Sequence, residues 1–227
     1  MNQKFTILFD LDGTLVDTAP DLMLAHNHVM KKFGYPTKSS EDIRNLVGKG
    51  AGALIGRSIW GQAKQEFSKV SDEKIKAEMI KEFINFYGKN ILNESTLING
   101  VKKFLIWCKK ENISMAVCTN KTEHLAVDLL KKIGIYDYFE YVAGHNTFEY
   151  CKPDPRHLTT IIEILDGDIK KTIMIGDSET DANAAKAAEI PVILLENGYT
   201  EKNTTEIYHN HLIKDFIGIE KIILEYL

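Results

Sequence analysis

Asp10 and Asp12 stand two positions apart at the end of a short apolar run, Phe5-Thr6-Ile7-Leu8-Phe9, and are followed by Gly13 and Thr14. A run rich in β-branched and aromatic residues predicts a fully buried strand in the middle of a parallel sheet. If the chain stays extended through the acids, the period of two sets both carboxylates on one side. Two such groups repel, and each resists ionising while the other is charged. A cation, or a proton retained by one acid, makes the pair tolerable. Gly13 permits a sharp turn and Thr14 adds a hydroxyl. The spacing does not fit an EF-hand, which wants a third acid where Thr14 stands and its glycine later. Taken alone, the pair also reads as an acidic turn.

Other chemistry-bearing residues follow similar apolar runs. Thr119 and Asn120 come after Ile113–Cys118, and Asp177 after Thr172-Ile173-Met174-Ile175-Gly176. Lys152 lies in a loop, Cys151-Lys152-Pro153-Asp154-Pro155. Singly, Thr119 reads as a cap residue, Asn120 as a turn residue, Lys152 as a solvated lysine and Asp181 as a helix-surface acid. Together, Asp10, Asp12 and Asp177 offer oxygen ligands for a hard cation such as Mg2+, which takes carboxylates, waters and a phosphate oxygen. Thr119 and Asn120 add neutral donors, and the turn after them adds backbone N–H groups for an anion. Lys152 supplies a point charge matched to a phosphoryl group. The combination points to Mg2+-dependent phosphoryl transfer.

The elements that must carry these residues divide the chain. From 17 to 90 the pattern is helical, with no convincing strand. Thr18 is expected to cap a helix with Pro20 in its first turn, and Gly34 to stop it. Ser40 opens a short helix, Gly48-Lys49-Gly50 interrupts, and a helix then runs to about Trp60. Ser71 or Asp72 begins a fourth, with Ile75, Met79, Phe83 and Tyr87 on one stripe. From Leu97 helices and strands alternate: a helix over 100–111, strands at 113–118, 141–143, 172–175 and 192–195, and a helix capped by Thr122 and ended by Gly134. Alternation implies a parallel sheet with helices on both faces. Ligands bind outside the carboxyl ends of such strands, where Asp10, Asp12, Thr119, Asn120 and Asp177 all stand. The expected division is an α/β core of 1–16 and 91–227, with 17–90 inserted as a helical domain.

Composition narrows the classes. The chain has 227 residues, 44% hydrophobic and 26% charged, as in an ordinary globular protein. A net charge of −4 gives no basic footprint for nucleic acid. Cys108, Cys118 and Cys151 show no close pairing, which suits a reduced, cytoplasmic protein. The N-terminal run is cut by Asp10 and lacks a cleavage-site pattern, so it is not expected to be a signal peptide, and no stretch approaches the ~20 apolar residues of a membrane span.

Asp10-Leu11-Asp12-Gly13-Thr14-Leu15-Val16 resembles the first motif of the haloacid dehalogenase superfamily. Thr119-Asn120 resembles its second, Lys152-Pro153-Asp154 its third and Gly176-Asp177-Ser178-Glu179-Thr180-Asp181 its fourth. Order and spacing also match from Phe5 to about Leu195, and the helical insertion resembles the family's cap. Asp17-Thr18-Ala19-Pro20-Asp21-Leu22, Val47-Gly48-Lys49-Gly50 and Thr119-Asn120-Lys121 further resemble the phosphoglycolate phosphatase branch. Asn99 departs from the proline usual before Gly100, in a linker away from the chemistry.

The resemblance implies a Rossmann-like, doubly wound parallel sheet with a helical cap after the first strand, and it implies roles. Asp10 would be the nucleophile that forms an aspartyl-phosphate. Asp12 would protonate the leaving alkoxide and then deprotonate water; it can be neutral near pH 7 because Asp10 and the phosphoryl group disfavour a further negative charge nearby. Mg2+ would be held by Asp10, the backbone carbonyl of Asp12 and Asp177. Thr119, Asn120 and Lys152 would hold the phosphoryl oxygens. Asp181 would orient Lys152 or a Mg2+-bound water, with Ser178 beside it. For the carboxylate of a phosphoglycolate-like substrate, Lys49 is the first candidate, with Arg44 and Arg57 in reserve. Keeping Asp12 favours a phosphate ester over halide release or phosphonate cleavage. A β-phosphoglucomutase-like sugar phosphomutase, a phosphatase for nucleotides, sugar phosphates or pyrophosphate, and a receiver-like signalling domain are the alternatives. The expected partner is a small phosphorylated molecule, and the expected state a monomer or homodimer.

Overall fold

A computed structural model of the chain describes residues 3–60 and 69–227. The opening run forms β1 (Thr6–Phe9), whose four residues are all buried. Both its edges are paired in parallel: Phe9 lies beside Val117 of β4 (Ser114–Cys118) and beside Ile175 of β6 (Thr172–Gly176). That register levels the three strand ends, so Asp10, Thr119 and Asp177 emerge along one edge. Outward, β4 pairs with β5 (Tyr141–Ala143), and β6 with β7 (Val192–Leu195), which pairs with β8 (His211–Ile213). The order is β5-β4-β1-β6-β7-β8, entirely parallel. The sixth strand, β8, was not expected from the sequence; at the sheet's edge His211 and Leu212 are only half-buried and Ile213 alone is buried, so it carries no continuous apolar run.

Alternation sorts β1 onto two cores. Ile7 and Phe9 join the side chains of α5 (Val101–Lys110) and α6 (Glu123–Lys132) on one face. Leu8 joins those of α7 (Arg156–Ile164) and α8 (Glu179–Ala187) on the other. Helices therefore cover both faces, as the alternating pattern requires.

Between β1 and β4 the chain leaves and returns through a two-stranded antiparallel ribbon, β2 (Val16–Asp17) with β3 (Thr96–Leu97). It carries α1 (Ala19–Lys32), α2 (Ser40–Leu46), α3 (Gly50–Trp60) and α4 (Lys69–Lys89). Strands this short leave no periodicity to find. The part of the expected insertion at 61–68 lies outside the described residues. Asp21, fully buried, accepts from the backbone N–H groups of Asn93, Glu94 and Ser95 and from the Ser95 hydroxyl, pinning the return crossing to α1. No described helix is long and apolar enough to cross a membrane.

Local cap rules fail at two places. Thr18 and Thr122 make no side-chain cap. The Thr18 hydroxyl donates instead to Asp12 Oδ1 at 2.8 Å, a tertiary partner that outcompetes the helix end. The short second helix is capped by Ser39 through a reciprocal bond with Asp42, and α4 already includes Lys69, before Ser71.

Candidate active site

Asp10 leaves β1 directly into the space between β4 and β6, its N–H donating to the Ile175 carbonyl at 2.9 Å. Lys152, on the loop before α7, reaches in from the side. Its Nζ lies 2.7 Å from Asp10 Oδ1 and 2.6 Å from Asp181 Oδ1. The other Asp181 oxygen accepts from the N–H groups of Asp177 and Ser178 and from the Ser178 hydroxyl. Both oxygens of Asp181 are thus engaged, and the acid fixes Lys152 against the start of α8. Breaking a buried pair of this kind costs about 3–5 kcal/mol.

Asp177 is clamped as tightly. Its Oδ1 accepts from the Thr14 hydroxyl at 3.3 Å and its Oδ2 from the Tyr199 N–H at 2.6 Å. Gly13, at φ +84°, makes room for it: a Cβ there would lie 2.2 Å from Asp177 Oδ2. Carboxylate oxygens of Asp10, Asp177 and Asp181 all fall within 4.8 Å of one another, and all three residues are buried. Burial pushes the Asp10 carboxyl up to about 6, against the pull of Lys152 and with the push of Asp181. Burial, then Asp10 and Asp181, raise Asp177 well above the ordinary range. Asp10 and Asp181 share one lysine, and Asp177 lies beside them with neutral donors alone.

Asp12 has a separate setting. Lys121 Nζ lies 2.9 and 3.1 Å from its two oxygens and 3.0 Å from the hydroxyl of Tyr87 on α4. Sequence reasoning surrounded Asp12 with negative charge alone; the structure adds this buried ammonium, whose pKa rises, against burial, because Asp12 and Tyr87 face it. Lys121 and Tyr87 were not singled out as functional. Tyr87 was legible only as a member of an apolar stripe, and Lys121 only as the residue after Thr119-Asn120.

Asn120 donates from its side-chain amide to the carbonyls of Lys152, at 2.9 Å, and Gly48, at 3.3 Å, so it ties the Gly48 turn to the lysine loop. Its Oδ1 is buried without a partner among the described residues. The Thr119 hydroxyl accepts from the Lys121 N–H.

These groups border a cavity of about 50 Å³. Asp10, Asp12, Thr119, Asn120 and Lys121 form its polar side. Leu22, Val47, Ala51, Leu54, Phe83 and Tyr87 close it from the helical segment. Neither Lys49, Arg44 nor Arg57 lines it. Lys49 is exposed and, with Arg57 and Ser178, borders a neighbouring cavity of about 60 Å³. Arg57 pairs with Glu201. Arg44 pairs with Asp17 at 2.7 Å and lies over the Tyr199 ring.

Comparison with known proteins gives this arrangement a context. The chain is 37% identical over 210 residues to a phosphoglycolate phosphatase of Mesorhizobium japonicum, a match covering 92% of this chain and 90% of the relative. It is 37% identical over 221 residues to one of Agrobacterium fabrum, covering 96% and 91%. Its fold superposes with a TM-score of 0.88 on the crystal structure of a predicted phosphoglycolate phosphatase from Haemophilus somnus, at 30% identity over 98% of this chain and 99% of that one. A β-phosphoglucomutase from Clostridium difficile shares the fold, with a TM-score of 0.77 at 21% identity. Residues 7–195 match the haloacid dehalogenase-like hydrolases along the whole stretch that bears the acids and Lys152, and the chain belongs to that family.

Proposed function

We propose that this hydrolase is a Mg2+-dependent phosphatase acting on 2-phosphoglycolate through an aspartyl-phosphate on Asp10, with 17–90 as the cap and 1–16 and 91–227 as the catalytic core. The carrying observation is the cavity, which has Asp10 and Asp12 on one side and is shut on the other by hydrocarbon from the helical segment. A polar floor under an apolar roof suits a small phosphate ester. The names of the relatives agree with it.

The buried acid cluster fits Mg2+. Its donors are all oxygen, and one lysine does not balance three buried carboxylates, an arrangement that a hard divalent ion relieves. Asp10, the backbone carbonyl of Asp12 and Asp177 would hold the ion. When bound, it supplies positive charge that screens the nucleophile from the anionic phosphoryl group. Asp181, with both oxygens already engaged, positions Lys152 and Ser178 rather than ligating.

Asp10 attacks phosphorus, and Lys152 and Thr119 meet the charge that develops on the phosphoryl oxygens. Asn120 holds the loop of Lys152 in place. Asp12, gripped by Thr18 and Lys121, protonates the leaving alkoxide and later takes a proton from the attacking water. All these residues come from one chain.

A phosphate-release screen over phosphorylated metabolites with Mg2+ tests this. The fastest turnover is expected with 2-phosphoglycolate, with sugar phosphates, nucleotides and pyrophosphate slower. EDTA should silence the enzyme and Mg2+ restore it; activity that survives thorough chelation overturns the metal assignment. A long-lived phosphoprotein without steady phosphate release would instead mark a receiver-like domain.

For the substrate's carboxylate, Lys49 remains the cation assigned. Arg44 and Arg57 already carry ion pairs, whereas Lys49 forms none among the described residues. The three N–H donors of Lys121 face Asp12 and Tyr87. Lys49 sits between two glycines in left-handed conformation, a turn able to swing it over the cavity. Lys49→Met is expected to lower kcat/KM for 2-phosphoglycolate about tenfold to a hundredfold, the ~1.5–3 kcal/mol of a charged hydrogen bond. Hydrolysis of p-nitrophenyl phosphate should barely change. A parallel fall with both substrates would give Lys49 to lid closure or phosphate binding, and no fall with either would make it a bystander.

A further inference from the structure

Tyr199, outside every motif discussed above, joins the acid cluster to the helical segment. It is 2% exposed. Its backbone N–H donates to Asp177 Oδ2 at 2.6 Å, and its hydroxyl donates to Asp17 Oδ1 at 2.5 Å while accepting from the Ala19 N–H at 2.9 Å. Asp17 belongs to the ribbon through which the chain enters the helical segment, and Ala19 is the first residue of α1. The other Asp17 oxygen accepts from Arg44 of α2 at 2.7 Å, and the Arg44 guanidinium lies 5.4 Å from the centre of the Tyr199 ring. One residue therefore touches the acid cluster with its backbone and the ribbon, α1 and α2 with its side chain.

The backbone end has no slack. A Cβ on Gly198 would lie 2.0 Å from the Asp177 carbonyl oxygen, so the 198–199 segment runs flush against Asp177. The side-chain end is charged and held. Burial pushes the Asp17 carboxyl up, yet Arg44 and Tyr199 bring it below the ordinary range. Burial, and then Asp17, keep the Tyr199 phenol protonated. Lifting α2 away breaks the Arg44 pair and leaves the ring without the cation above it. Shifting the ring moves the N–H that orients Asp177.

We infer that Arg44, Asp17 and Tyr199 form a latch that couples docking of the helical segment to cation binding at Asp177, with Tyr199 as the positioning residue between them. The inference rests on the acid cluster being the Mg2+ site. Coupling of two equilibria is reciprocal: if docking strengthens cation binding, the cation strengthens docking by the same factor. A bound Mg2+ thereby favours the closed, dry cavity before any chemistry begins.

The test needs no turnover. Mg2+ affinity is measured by calorimetry on the substrate-free 227-residue chain, with Mg2+-induced change in Tm as a second readout. Arg44→Met keeps an apolar stem over the ring and removes the charge. Tyr199→Phe keeps the ring and the backbone donor and removes the hydroxyl. Both are expected to raise the Kd for Mg2+ about fivefold or more, the low end of typical couplings, and to shrink the Tm shift. Arg44 makes no hydrogen bond or ion pair with Asp10, Asp177 or Asp181 among the described residues, so a purely local role for Tyr199 would leave Arg44→Met at the wild-type Kd. That result overturns the latch whether or not Tyr199→Phe weakens binding. Should Arg44→Met fail to fold, Arg44→Gln removes the same ion pair without touching the Tyr199–Asp17 bond and decides by the same readout. Wild-type protein that binds no Mg2+ would refute the metal site itself, a failure distinct from that of the latch.

Discussion

Asp10→Asn is expected to abolish phosphate release while leaving the protein folded. The amide is not a competent nucleophile toward phosphorus, so no aspartyl-phosphate forms and the two-step route closes. The fold should survive because the substitution removes a charge from a crowded group. Asp10 shares one lysine with Asp181 and lies beside Asp177, all three acids being buried. An asparagine retains an oxygen for Lys152, and Lys152 retains Asp181. Turnover below detection with an unchanged Tm is the expected pair of results. Near-normal hydrolysis by the folded variant would remove the covalent mechanism.

Asp12→Asn should cost on the order of 10²–10⁴ in rate for 2-phosphoglycolate, the usual contribution of a positioned acid and base. The oxygen that accepts from Thr18 and Lys121 can be retained as the amide oxygen, but Lys121, which also donates to Oδ2 at 3.1 Å, loses its acidic partner, so Tm is measured beside the rate. The loss in rate should shrink for p-nitrophenyl phosphate, whose leaving group needs little protonation. With chemistry rate-limiting, equal losses for alkyl and aryl substrates would count against the acid role. The burial of Lys121 between Asp12 and Tyr87 sharpens the expectation, since a substitution that repelled this ammonium would add a packing defect to the chemical one.

Much of the fold was open to sequence reasoning because parallel sheets announce themselves locally. Buried strands such as Thr6–Phe9 and Thr172–Gly176 are short continuous apolar runs, and their ends are marked by abrupt polarity. The weak points were elements whose pattern is too short or too polar to register: the β2–β3 ribbon and the edge strand β8. Thr18 shows a different failure. By local rules it caps a helix, but Asp12, six residues back, claims its hydroxyl.

The sequence by itself determined which chemistry was available and along which edge it would gather. Asp10, Thr119, Asn120 and Asp177 each follow a buried strand, and parallel pairing leaves them no other place to go. Apart from Asp181 with Lys152, which the family resemblance already offered, only the tertiary structure decided how the charges are partnered. Lys152 goes to Asp10 and Asp181, Lys121 to Asp12, and Arg44 to Asp17 beside Tyr199. Those partners lie 142, 29, 109 and 27 residues apart in the chain, while Tyr199 and Asp17 are separated by 182. No local pattern reaches so far. Backbone periodicity acts over a few residues, whereas the pairing of buried ions is settled by desolvation, which makes each charge take whichever opposite charge the finished fold brings within hydrogen-bonding distance.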